Sequence, residues 1–248
     1  MLATRDLSIE VAGRTLVEAL EFELKRGQCW SVLGRNGTGK SSLLLALAGL
    51  RRARRGRILI DGAALADMPR RKLALRIGVL LQDEPADFWG NTLDYVLLGG
   101  FPRSRTAFAP DTDPRVQAQA LLAEMDLADH LTQPYRTLSG GERQRARIAQ
   151  LLLQDPECLL LDEPLQHLDL RHQSAVMHAL AARVRAGKAV MMVLHDPGIA
   201  ARFCDFALLL YDAGRISQGT SAQMLTLENL ESLYQCRLDS PGQAFIPR

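Results

Sequence analysis

The chain has 248 residues, 47% hydrophobic and 23% charged, enough for one large α/β domain or one domain carrying a small inserted lobe. Lys plus Arg total 30 against 28 Asp plus Glu, a balance that gives no bulk-charge reason to expect nucleic-acid binding. None of the 4 cysteines is paired at CxxC spacing, so they read as free thiols in a reducing compartment. No apolar run approaches the roughly 18 residues of a membrane span, and the N-terminus lacks a signal-peptide pattern. The chain is therefore expected to be cytoplasmic, reaching a membrane only through another chain.

Alternation opens the sequence: Leu7, Ile9 and Val11, then Leu20, Phe22 and Leu24, predict an N-terminal antiparallel β region. Cys29 to Leu33 is a short apolar run ending in Gly34, the pattern of a buried parallel strand. Lys40 to Ala48 is helical and stops at Gly49. Ile58 to Ile60 and Ile77 to Leu81 predict further strands. From about Asp83 to Arg136 prolines recur between helical stretches such as Val116 to Met125, which predicts an inserted helical lobe. Apolar runs return at Cys158 to Leu161, Ala189 to Leu194 and Phe206 to Tyr211, the first two preceded by helical segments Glu142 to Leu153 and Gln173 to Arg185. Helix alternating with buried strand predicts a mostly parallel sheet covered on both faces. The basic run Arg51 to Arg57 reads as a solvated turn; it lacks the interleaved aromatics of a base-stacking site.

Three segments carry chemistry. Gly34-Arg35-Asn36-Gly37-Thr38-Gly39-Lys40-Ser41 fits GxxxxGK[ST], follows an apolar strand and opens a helix. Its glycines let backbone N–H groups curl around phosphate oxygens, and the helix N-terminus adds free donors and partial positive charge. Lys40 is placed for the β and γ phosphates and the Ser41 hydroxyl for Mg²⁺, with Ser42 beside it. Leu159 to Glu163 ends a buried strand in two carboxylates. Asp162 is positioned to hold Mg²⁺ through water, and Glu163 to take a proton from an attacking water. Leu138 to Gln144 opens a second helix with Ser139, Gly140 and Gly141. On residues alone it is either another anion cradle or a plain N-cap built on Ser139.

Together these residues resemble the ATP-binding subunits of ABC transporters over essentially the whole chain, with Leu138 to Gln144 similar to the family's signature motif. Gln82, after the strand Ile77 to Leu81, matches the Q-loop glutamine. His167-Leu168-Asp169 matches the D-loop, and His195 the switch histidine. The resemblance implies a single ABC ATPase domain of α/β class. It has a P-loop NTPase core over 1–82 and 150–248, and a helical lobe over 83–149 that includes the signature motif. It implies ATP and Mg²⁺ as cofactors and a head-to-tail homodimer. In that dimer Ser139, Gly140 and Gly141 bind the γ phosphate on the partner's P-loop and Asp169 couples the two sites. Gln82 then senses Mg²⁺ and the attacking water, and His195 contacts the γ phosphate. Taken singly, His195 also reads as a satisfied strand-end histidine and Asp169 as a helix N-cap.

Leu168 to Gln173, Leu194-His195-Asp196 with Ala200 to Asp205, and Leu225 to Leu230 resemble the branch of importers for metal chelates. That branch implies multi-helix membrane permease subunits, which hold this chain at the inner face of the cell membrane, and, indirectly, a substrate-binding protein. Its cargo would be a corrinoid such as cobalamin, or a ferric siderophore or haem. The tail ending at Arg248 fits it. The motifs do not themselves set direction, so an exporter motor and a non-transport ATPase are the alternatives. Four departures stand out. Val11 replaces an adenine-stacking aromatic, Leu165-Gln166 a small polar pair, Pro197-Gly198 the common Leu-Asn, and Gly100 stands near a usual arginine. The permease contact is expected from Asp83 to Asn91 and over the following lobe. Phe88 and Trp89 are either interface anchors there or packed within the lobe.

Overall fold

A computed structural model of the chain describes residues 1–82, 87–103, 113–239 and 246–247. At its centre is a six-stranded sheet built on β4 (Cys29–Gly34), β7 (Ile77–Leu80), β8 (Cys158–Asp162), β9 (Ala189–Val193), β10 (Phe206–Leu210) and β11 (Ile216–Thr220), after a first sheet introduced below. Its order is β11-β10-β4-β9-β8-β7, all parallel except the β11 edge. β4, β8 and β9 are buried along their whole length, as continuous apolar runs require. Their side chains divide by the period of two. Cys158 and Leu160 join one core with Val32, Met191 and Leu208; Leu159 and Leu161 join the other with Leu33, Met192 and Leu209.

The first sheet is antiparallel. β1 (Leu2–Val11) lies between β2 (Arg14–Leu20) and β5 (Arg55–Ile60), with β3 (Glu23–Leu24) also on β1 and β6 (Ala63–Ala64) on β5. The register slips between Arg5 and Ser8, where Asp6 adopts φ 51°. Gly56 (φ 89°) meets this bulge; a Cβ there would lie 2.2 Å from the Asp6 carbonyl oxygen, so only glycine fits. Part of the basic run is neutralised here, with Arg55 2.8 Å from Asp6 and Arg54 paired with Glu10.

Between the sheets lies α1 (Lys40–Leu47), whose Leu43, Leu44 and Leu47 are buried. Trp30 (6% exposed) anchors the same core, stacked on Phe206 at 4.9 Å and edge-on to Phe22 at 5.5 Å. The short α2 (Arg70–Arg76) leads into β7.

After β7 the chain leaves the sheet. α3 (Thr92–Leu97) and α4 (Pro114–Glu124) pack on α5 (Gly140–Gln154), which returns the chain to β8. Asn91 caps α3, Asp113 caps α4 with Pro114 in its first turn, and Ser139 caps α5. The interior of this part is aromatic: Tyr95 stacks on Tyr135 at 3.9 Å and Phe88 meets Tyr95 edge-on at 5.5 Å. α6 (Leu170–Arg185), α7 (Pro197–Phe203), α8 (Ser221–Met224) and α9 (Leu227–Tyr234) cover the remaining face of the central sheet. Among the described residues, no helix is long and apolar enough to cross a membrane.

Candidate nucleotide site

Parallel strands ending side by side gather their C-terminal loops at one edge of the sheet, and the candidate residues follow from β4, β7, β8 and β9. A cavity of about 450 Å³ there is lined by Gly37, Gly39, Lys40 and Ser41 with Gln82, Glu163 and His195. A larger one, about 860 Å³, lies under the basic run Arg51 to Arg57 and holds none of these residues.

After Gly34, Gly37 (φ 80°) and Gly39 (φ 105°) take left-handed backbone that frees the loop to wrap inward, and α1 begins at Lys40. Thr38 Oγ1 donates to the Arg35 carbonyl at 2.9 Å, closing the loop. Lys40 is only 6% exposed, and its ammonium donates to the carbonyls of Gly34 at 2.8 Å and Arg35 at 3.0 Å. Burial lowers its pKa, opposed by the negative charges of Glu163 and Asp162. Arg35 faces away, bonded to Gln235 at 2.7 Å and Asp212 at 3.2 Å. Asn36 and Ser42 also line the cavity.

Asp162, the last residue of β8, is 3% exposed. Burial raises its pKa, and a hydrogen bond from Ser41 works in the opposite direction. One of its oxygens, Oδ1, is buried without a hydrogen-bond partner. An anionic oxygen left so is costly unless a cation or donor completes it. Glu163 adopts φ 51°, turning the chain sharply off the strand and its carboxylate into the cavity. Its Oε1 lies 2.7 Å from His195 Nε2, at the end of β9, with His195 about half exposed. Gln82 enters from the end of β7. Among the described residues, no group of three or more His, Cys, Asp or Glu could by itself hold a metal ion.

Ser139, Gly140, Gly141 and Asp169 do not line this cavity. Ser139 forms a capping box, accepting from the Glu142 N–H at 3.3 Å while its own N–H donates to Glu142 Oε2 at 2.7 Å. The backbone N–H of Ser139 also draws the Glu142 pKa down. Gly141 is packed so closely on the His167 carbonyl that a Cβ would lie 2.8 Å from it. Asp169 caps α6 through the His172 N–H at 2.9 Å. Within one chain, the capping readings of Ser139 and Asp169 are what the geometry displays.

Two lining residues escaped sequence reasoning. Leu16 of β2 covers Gly39 at the cavity wall, and Gln166 also lines the cavity. Nothing local marks Leu16, an ordinary apolar residue of an alternating strand. Val11 instead packs half-buried against the core, and among the described residues no aromatic lines the cavity. Phe88 and Trp89 diverge. Phe88 packs on Tyr95 and Tyr135, whereas Trp89 is 82% exposed beneath the Arg136 guanidinium. Residues 83–86 of the expected permease contact lie outside the described residues.

The chain resembles known proteins over most of its length. The family described as ABC transporter matches residues 17–166. The hemin import ATP-binding protein HmuV of Myxococcus xanthus is 38% identical, the match spanning 95% of this chain and 92% of that protein. The iron(3+)-hydroxamate import ATP-binding protein FhuC of Bacillus subtilis is 33% identical over 94% of this chain and 87% of its own length. A solved structure described as an inward-facing ABC transporter of metal-chelate type superposes with a TM-score of 0.81 at 27% identity, covering 100% of this chain and 97% of that one.

Proposed function

This chain belongs to the ABC transporter family, and from that premise we propose that it is the ATP-hydrolysing motor of a membrane importer for an iron chelate. The observation that carries the reading is one cavity on which Lys40, Glu163, Gln82 and His195 converge from four strand ends, with the buried Asp162 next to Glu163 and bonded to the lining Ser41. Loop N–H groups and Lys40 bind the triphosphate. The Glu163 carboxylate accepts the proton of the attacking water, and the His195 ring 2.7 Å away holds it in place.

Mg²⁺ fits the donor set. The orphaned Asp162 Oδ1 and the Ser41 hydroxyl are the hard oxygen donors it prefers, and phosphate oxygens and waters complete such a shell. Bound there, the ion would neutralise phosphate charge. The capped Ser139 loop, away from the chain's own cavity, supports a homodimer in which that loop meets the partner's triphosphate. The exposed Trp89 supports a permease docked on that side. The motor then sits at the cytoplasmic face of the membrane, coupled through the permease to a substrate-binding protein. The names of the relatives, hemin and iron(3+)-hydroxamate import, weigh toward an iron chelate over a corrinoid.

Uptake of labelled haem, ferric hydroxamate and cobalamin into vesicles reconstituted with the cognate permease tests the reading. ATP-dependent uptake of an iron chelate, abolished by Lys40→Ala, is expected. Efflux, or no chelate transport at all, would reject it.

A further inference from the structure

α5 begins at the Ser139 loop, and two of its buried side chains, Gln144 and Arg147, lie one turn apart on the same face. The Arg147 guanidinium donates to the carbonyls of Leu81 and Gln82, the latter at 3.5 Å, and to Gln144 Oε1 at 3.0 Å. Gln144 in turn donates to the carbonyls of Glu163 at 3.3 Å and Pro164 at 3.1 Å. Both sets of carbonyls lie just beyond the ends of their strands, β7 and β8, where the ladder no longer supplies donors. One side-chain pair therefore spans the two loops that deliver Gln82 and Glu163 to the cavity.

We propose that Arg147, braced by Gln144, is a positioning residue for hydrolysis. It fixes the backbone from which the Gln82 side chain reaches the reacting phosphate and ties that backbone to the helix that starts at Ser139. A planar guanidinium can bridge three acceptors at once, and a lysine ammonium at the end of a flexible stem cannot hold the same set in one plane. The inference rests on the ATPase reading of the site.

A double-mutant cycle on the full-length chain tests it. Arg147→Met keeps the apolar stem and removes the donors. Displacing a catalytic group by a fraction of an ångström to an ångström costs on the order of 10-fold to 100-fold. The expected result is a fall in kcat of that size with nucleotide affinity unchanged, and partial recovery in Arg147→Lys. With Gln82→Ala as background the side chain that Arg147 positions is gone, and Gln144 still holds the Glu163 loop, so Arg147→Met should lower kcat by less than about 2-fold further. An unchanged kcat, or an equal loss in both backgrounds, overturns the proposal, because a contact that merely stabilises the fold acts additively. Should Arg147→Met not fold, Arg147→Lys carries the same cycle under the same criterion. Lys40→Ala run in parallel separates the two failures: retained nucleotide binding there would reject the site itself, whereas an additive cycle with Lys40→Ala inactive rejects only the role of Arg147.

Discussion

Asp162→Asn should make the empty protein more stable while disabling it. The carboxylate is buried with Oδ1 unpartnered, and an orphaned buried polar group costs about 1–3 kcal/mol, more when charged. An amide keeps the oxygen that accepts from Ser41 and places a neutral group at the orphaned position. At about 2–4 °C per kcal/mol for a chain of this size, the melting temperature should rise by about 2–12 °C. The pH dependence has a definite sign. Burial raises the folded pKa of Asp162 above its unfolded value near 3.9. Between the two values the unfolded chain has lost the proton and the folded one keeps it, so wild-type stability falls as pH rises through that window and is flat beyond it. The advantage of the variant should therefore widen as the pH rises above the unfolded value and close toward about pH 4. Melting curves in chelator, without nucleotide, measure it. Addition of Mg²⁺ and ATP should reverse the order, because only the wild type gains the cation as a partner. An Asn variant that melts at or below wild type in chelator at pH 8, or a gap that does not narrow with acid, would refute the argument.

Glu163→Gln should lower steady-state ATPase by about 10²–10⁴-fold while filter-binding affinity for ATP stays near wild type, and light scattering should show the ATP-bound variant as a dimer. Because Leu16 rather than an aromatic walls the cavity, GTP should be hydrolysed at a rate comparable to ATP; a strong ATP preference in competition assays would show that another residue holds the base. Phe88→Ala should cost about 1–3 kcal/mol in a denaturant melt through lost contact with Tyr95 and Tyr135. Trp89→Ala should stay within about 1 kcal/mol of wild type yet uncouple transport from hydrolysis in reconstituted vesicles.

How much of this was legible beforehand depended on how far apart the interacting residues lie. The central strands read clearly because burial on both faces leaves continuous apolar runs, as at Cys158 to Leu161 and Ala189 to Val193. The P-loop read clearly because its function is carried by consecutive backbone. β11, an edge strand of sequence ISQGT, has no apolar period to betray it, and its place comes from pairing with β10. α2 hides in the basic stretch RRKLALR, with Leu73 alone of its side chains buried. Leu16 reaches the cavity through the β1–β2 hairpin and its packing on Gly39, a placement that its own strand pattern does not mark. Contacts such as Arg147 to Gln82 join segments 65 residues apart, and no local pattern encodes them.

The placement of the two tryptophans also makes the chain its own optical reporter. Trp30, sandwiched between Phe206 and Phe22 with its indole N–H on Gln28 at 3.2 Å, should emit in the blue, resist acrylamide and change only when the two sheets separate. Trp89, open to solvent against a guanidinium, should emit in the red, quench readily and respond to whatever covers it. A Trp89→Phe protein would then read global unfolding from Trp30 alone. Its difference spectrum from wild type would isolate permease docking, with no label attached to either subunit.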